Sequence, residues 1–118
     1  MAIVSSHTLN SVDGTHAGGI AVTLTRISAD GGHTQLFSLA TDDGGRFSEE
    51  IDPGQVESDA VYEIVLQTGA YFDARSLPVT GEKYLREVVV RFEMPNPEAR
   101  YHLPFMLAPH SYSVWFSS

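Results

Sequence analysis

The chain contains no cysteine, which removes disulfides, thiolate nucleophiles and cysteine-ligated zinc from its chemistry and fits a reducing compartment. Basic residues are scarce. Seven Lys and Arg stand against fifteen Asp and Glu, for a net charge of −8. No cluster of basic residues occurs, so neither nucleic acid nor an anionic membrane surface is an expected partner. An anionic small molecule would need local positive charge against that background, which makes any arginine beside a pocket informative. No apolar run reaches the length of a membrane span. The opening Met1-Ala-Ile-Val-Ser-Ser6 lacks the basic and apolar regions of a secretory leader, and Phe116-Ser-Ser118 is not a peroxisomal tripeptide. A cytoplasmic protein is expected. Short-range chemical motifs are also missing: there is no His-Glu-x-x-His, no Gly-x-Ser-x-Gly, and the glycines mark turns rather than a phosphate loop. Neither a metal nor a cofactor is expected.

What the chain does have is a period of two. In Gly19–Ile27 the apolar Ile20, Val22 and Leu24 alternate with Ala21, Thr23 and Thr25, the pattern of a half-buried strand. Further strands are expected at Ile3–Leu9, Thr34–Ala40, Arg46–Glu50, Ala60–Thr68, Arg86–Glu93, Arg100–Leu107 and Ser111–Phe116. Between them lie turn sequences such as Asp42-Asp-Gly-Gly45, Asp52-Pro-Gly54 and Met94-Pro-Asn-Pro97. Only Gly69–Leu77 reads as helical. With 118 residues, 42% of them hydrophobic, the expectation is one domain over residues 1–118, an all-β sandwich or barrel of seven or eight strands.

The alternation also sorts side chains onto faces. Ile3, Ser5, His7 and Leu9 share one face of the first strand. His102 belongs with Pro104 and Met106, opposite Tyr101, Leu103, Phe105 and Leu107. Near the chain end Ser113, Trp115 and Ser117 lie opposite Tyr112, Val114 and Phe116. Small polar residues beside one large aromatic suit a pocket or interface wall, and a terminus carrying Trp115 and Phe116 is expected to be buried in a sheet or an interface. Of the five histidines, His16 and His33 read as solvated loop residues and His110 sits in the final turn. His7 and His102 lie inside strands, where pattern alone leaves a satisfied strand histidine and a catalytic one both open. Arg46 follows Asp42-Asp-Gly-Gly45 and by itself reads as an exposed charge at a loop end.

Taken in order, several segments resemble the transthyretin-like family, whose enzymatic branch is 5-hydroxyisourate hydrolase. Ser6-His-Thr-Leu-Asn10 is similar to its first-strand Thr/Ser-His-Val-Leu-Asp. Ala17-Gly-Gly-Ile-Ala-Val-Thr-Leu24 resembles its second strand, and Asp43-Gly-Gly-Arg46 the segment bearing its active-site arginine. Tyr62-Glu-Ile-Val-Leu-Gln-Thr-Gly-Ala-Tyr-Phe72 is similar to its strand-to-helix corner. Pro97-Glu-Ala-Arg-Tyr-His-Leu-Pro-Phe-Met-Leu-Ala-Pro109 resembles its Tyr-His-x-Pro-Leu-Leu-Leu-Ser-Pro. No single segment is specific, but their order and spacing together are.

The resemblance implies a transthyretin-like (prealbumin-like) two-sheet β-sandwich with one short helix. It implies a homotetramer, a dimer of dimers, whose first, seventh and last strands line a cleft at the dimer–dimer interface. By the same resemblance His7, Arg46 and His102 are catalytic, while Ser113, Trp115 and Ser118 contact a small-molecule substrate. One departure is plain. The hydrolases end in Tyr-Arg-Gly-Ser, whereas this chain ends Trp115-Phe-Ser-Ser118, losing a phenolic hydroxyl, a positive charge and a flexible glycine. Three readings are therefore carried forward: ring-opening hydrolysis of 5-hydroxyisourate in urate catabolism, the same trio acting on another heterocycle in specialised metabolism, and a non-catalytic small-molecule carrier.

Overall fold

The structure, a computed structural model, describes residues 1–75 and 85–117. Ten strands are arranged in two sheets: β1 (Ala2–Asn10), β2 (Thr15–His16), β3 (Ala21–Ile27), β4 (His33–Ala40), β5 (Arg46–Ile51), β6 (Val61–Leu66), β7 (Val88–Phe92), β8 (Arg100–His102), β9 (Phe105–Ala108) and β10 (Ser111–Val114). Of the sandwich or barrel that the alternation left open, the two-sheet β-sandwich implied by the family resemblance is the observed fold. One sheet runs β4-β3-β6-β7, all antiparallel. The other is organised around β1, which pairs antiparallel with β5 and β2 on one side and parallel with β8 and β9 on the other, with β10 outside β9.

Period-two patterning builds the core. Alternate residues of β1, β3 and β6 point inward, so Val4, Val22, Leu24, Tyr62, Ile64 and Leu66 are fully buried, and Leu103, Phe105 and Leu107 join them. The opposite face of β1 carries Ile3, Ser5, His7 and Leu9, as the alternation requires. Beyond Val4 the inner face of β1 turns polar, with Ser6, Thr8 and Asn10 all buried. Each is satisfied: Ser6 donates to the Leu103 carbonyl at 2.6 Å, Thr8 lies against two carbonyls, and Asn10 donates to the Tyr71 hydroxyl at 3.3 Å.

Two expected elements differ from their sequence reading. Arg100–Leu107 is interrupted: Pro104 has no N–H for the ladder, so β8 and β9 flank β1 in one continuous register with Leu103 and Pro104 between them. The helix expected at Gly69–Leu77 is α1, Thr68–Asp73, and Leu77 lies outside the described residues. Tyr71 and Phe72 bury this short helix against the sheets, and the Arg75 guanidinium caps the Tyr71 ring at 3.6 Å.

A close backbone approach joins three segments beside β1. Thr8 N–H donates to the Gly45 carbonyl (2.7 Å), Ala17 N–H donates to the Thr8 carbonyl (2.9 Å), and the Thr8 hydroxyl lies 2.8 and 2.9 Å from the Ala17 and Gly45 carbonyls. Gly45 has φ +74°, and a Cβ there would sit 2.3 Å from the Thr8 carbonyl oxygen. Backbone strain and steric overlap combine at this position. Gly45→Ala is therefore expected to lower unfolding free energy by at least about 2 kcal/mol in urea denaturation. A loss below about 0.5 kcal/mol, within the range of ordinary surface substitutions, would contradict this account of the clamp.

Candidate active site

The outer face of the β1 sheet forms a grid of side chains. His7 stands directly opposite Arg46 on β5, and Ser5 is flanked by Ser48 on β5 and His102 on β8. Neighbouring strands lie about 4.8 Å apart and same-face residues along a strand about 6.6 Å apart. His7, Arg46 and His102 thus occupy two adjacent rows. An open depression of about 350 Å³ is lined by Ser5, Asp42, Arg46, Ser48, Arg100 and His102, whereas His7, opposite Arg46, is not among its lining residues.

Each member is held by neighbouring structure. His102 Nδ1 lies 2.7 Å from the Ser5 hydroxyl, its cross-strand partner, and this contact restricts the ring to one orientation. His7 Nε2 lies 2.9 Å from His16 Nδ1, with the two rings tilted and their centroids 5.0 Å apart. Partial burial, the Arg46 guanidinium and the neighbouring His16 lower the His7 pKa below its ordinary 6.5, opposed only in part by a hydrogen bond to the Gly44 backbone. Arg46 is placed by its backbone: Asp42 Oδ1 accepts the N–H groups of Gly44 and Arg46, each at 2.9 Å. The Arg46 guanidinium makes no ion pair or hydrogen bond among the described residues.

Such an arrangement supplies two imidazoles together with the guanidinium groups of Arg46 and Arg100, neither of them hydrogen-bonded or ion-paired among the described residues, which can bind an anion or polarise a carbonyl. Among the described residues, no group of three or more His, Asp or Glu side chains is arranged to hold a metal ion.

At the chain end the first of the two expected placements, burial in a sheet, is not found, while the second, an interface, lies between chains. Trp115 and Phe116 are 46% and 54% exposed, so neither is buried in a sheet of its own chain. Strand β10 stops at Val114, after which the backbone stays tethered to the site: Trp115 N–H donates to the Pro104 carbonyl at 3.4 Å and Ser117 N–H to the His102 carbonyl at 3.0 Å. Phe116 meets Phe92 edge-on at 5.7 Å. Ser113 is exposed and opposite Met106 on β9, two strands from β1. Ser118 lies outside the described residues.

Sequence reasoning missed two contributors. His16, expected as a solvated loop residue, is exposed but belongs to β2 and contacts His7. The Val12-Asp-Gly14 turn was a usable signal, because a hairpin there folds the next few residues back along β1. Ser5 was placed on the correct face, but its pairing with His102 requires the parallel alignment of distant segments, which no local pattern reveals.

The chain is similar to known proteins over nearly its whole length. The 5-hydroxyisourate hydrolase of Pseudomonas aeruginosa is 29% identical over 119 aligned positions, covering 100% of this chain and 93% of that protein. The solved 5-hydroxyisourate hydrolase of Klebsiella pneumoniae superposes with a TM-score of 0.77 at 27% identity, covering all of both chains. Sea bream transthyretin, solved in complex with thyroxine, gives a TM-score of 0.81 at 28% identity over 97% of this chain and 93% of its own. Finally, the profile of the HIUase/Transthyretin family matches residues 4–116, and the chain belongs to that family.

Proposed function

We propose that this protein is a 5-hydroxyisourate hydrolase, opening the ring of a cyclic amide in urate breakdown. The observation that carries the reading is the convergence of His7, Arg46 and His102 in two adjacent rows of one exposed sheet face, in a chain whose curated relatives include that hydrolase. A thyroxine carrier shares the fold, but carriage alone has no use for two imidazoles beside an unpaired guanidinium.

The chemistry runs as follows. The histidines hold a water against the ring carbonyl, and one of them takes its proton as the water oxygen bonds to the carbonyl carbon. Arg46 binds the imide and stabilises the oxyanion that forms. Collapse breaks the ring C–N bond, and the histidine returns its proton to the departing nitrogen. His7 suits the role of base because its lowered pKa leaves the ring neutral at physiological pH. Trp115 and Ser113 supply the wall against which the flat heterocycle rests, Trp115 offering a larger stacking surface than a tyrosine would, and Ser118 is a further proposed substrate contact.

The 118 residues act as one domain, and the working form is a cytoplasmic homotetramer. Support for assembly comes from the exposed Met106, Tyr112, Trp115 and Phe116, a concentration of apolar surface beside an open depression that a second copy would close. Light scattering at micromolar concentration should give four times the mass of the chain. A monomer there would contradict the shared-cleft arrangement.

Freshly generated 5-hydroxyisourate should lose its ultraviolet absorbance faster with the protein than spontaneously, and equal rates would overturn the proposed activity. His7→Ala and His102→Ala should each lower kcat by about 10²- to 10⁴-fold, and Arg46→Ala by about 10²- to 10³-fold. Full activity in any of the three would remove that residue from the mechanism. The depressed His7 pKa also has a signed consequence. The base is active when deprotonated, so the acidic limb of the kcat/KM profile should fall below pH 6.5, and a limb at or above that value would exclude His7 as the base.

A further inference from the structure

His16, like His33 and His110, has no part in the proposed reaction, yet its environment is built. The turn before it is pinned by side chains: Asn10 Oδ1 accepts Val12 N–H at 2.9 Å, and Asp13 Oδ1 accepts the Thr15 N–H at 3.0 Å and hydroxyl at 2.6 Å. Gly14 N–H donates to the Asn10 carbonyl at 2.9 Å and takes φ +77°. On the other side, Ala17 is clamped to Thr8. His16 itself pairs with Leu9 across β1 and β2, so its ring is carried over the same outer face as His7. His16 is exposed, yet it is fixed at both ends, and its Nδ1 lies 2.9 Å from His7 Nε2.

We propose that His16 is a positioning residue that accepts a hydrogen bond from His7 Nε2–H, holding His7 in the tautomer whose free Nδ1 is the basic nitrogen. The inference rests on the hydrolase reading for its catalytic consequence, but not for the tautomer itself. When water gives its proton to His7 Nδ1, the imidazolium keeps Nε2–H directed at His16 Nδ1. The proton then returns from Nδ1 to the departing ring nitrogen, so His16 gains and loses nothing. Without that acceptor, Nε2–H must find water, and neutral His7 divides between its two tautomers.

The groups acting on His7 come from each element around it: Arg46 on β5, His16 on β2, His102 on β8 and the Gly44 backbone in the turn before β5. The three charged or chargeable side chains all favour the neutral ring. Replacing His16 with an uncharged residue removes one of them, which moves the His7 titration upward.

The test combines kinetics with nitrogen-15 NMR of the imidazoles on the full chain. His16→Ala should lower kcat about tenfold with KM within twofold, shift the acidic limb to higher pH, and turn the His7 resonances from a single Nε2–H tautomer into a mixture. His16→Asn, whose amide carbonyl can stand near the Nδ1 position, should recover most of kcat and the single tautomer while keeping the shifted limb. Wild-type kcat, pH profile and tautomer in His16→Ala would overturn the proposal. So would a fall in kcat with the tautomer and pH profile unmoved, because that pattern marks a merely structural role. Should the wild-type protein fail to hydrolyse 5-hydroxyisourate, the activity reading falls by itself. The His7 tautomer in wild type and His16→Ala then decides the positioning role alone.

Discussion

The clamp at Thr8 is the constraint on which the site depends. Thr8, Ala17 and Gly45 are tied to one another by three short contacts through the Thr8 hydroxyl and backbone, and a fourth joins Thr8 N–H to Gly45. Each of the three is the chain neighbour of a site residue: His7 precedes Thr8, His16 precedes Ala17, and Arg46 follows Gly45. Three segments far apart in sequence are thereby locked at one point on the inner side of the sheet, and the adjacent side chains emerge together on the outer side. The alternation of a β-strand does the rest, since a residue fixed on one face dictates where its neighbour points. A buried threonine whose hydroxyl has two carbonyl partners is well suited to this task. Its position is over-determined, and replacing it by an isosteric valine would leave those carbonyls to find other donors.

Charge distribution reinforces the placement. With a net charge of −8, the default surface is acidic, and an unpaired guanidinium would ordinarily recruit a carboxylate. Several carboxylates are instead committed elsewhere: Glu63 to Arg91 at 2.9 Å, Glu57 to Arg26 at 3.5 Å, Asp73 to Arg86 and Glu98 to the amino terminus. Asp42, the carboxylate lining the depression, spends one oxygen on the backbone N–H groups that shape the Arg46 turn. Arg46 therefore keeps its charge available to a ligand. The same charge, acting with partial burial, holds His7 neutral. Its folded pKa lies below 6.5, so the stability contributed by the neutral ring is present at neutral pH and is lost as pH falls through that lowered value.

Much of this was legible in the sequence because it is periodic. Each of the eight expected strands has a counterpart, although Arg100–Leu107 is split into β8 and β9 and the last strand ends at Val114. The face assigned to Ile3–Leu9 matches the observed burial. Leu103, Phe105 and Leu107 lie inside with Met106 40% exposed, but Pro104, expected on the face of His102, is buried. What pattern could not supply is non-local. The parallel pairing of β1 with β8 and β9 brings Ser5 to His102 across nearly the whole chain, and periodicity carries no information about which strands become neighbours. His16 escaped for a different reason. A two-residue strand has too few positions to show alternation, so its glycine-flanked surroundings read as loop. The break at Leu103–Pro104 was readable in principle, since proline cannot donate to the ladder, but the apolar alternation ran through it unbroken.

The chain end brings these threads together. Large aromatics normally mark burial, and Trp115 and Phe116 are nevertheless exposed in a single chain, while the backbone carrying them stays bonded to Pro104 and His102. The tether and the exposure belong to one design. Phe116 turns toward Phe92 on β7 of the second sheet, bridging the sandwich edge, and the backbone of Ser117 fixes the strand beside His102. Trp115, between them, is 46% exposed on a backbone bonded to the Pro104 carbonyl. An arginine in place of Phe116 would not pack on Phe92 in this way and would add charge beside a site that already holds a free guanidinium. The aromatic pair at the terminus thus exchanges electrostatic reach for a fixed apolar wall, and the site's positive charge is left to Arg46 and Arg100.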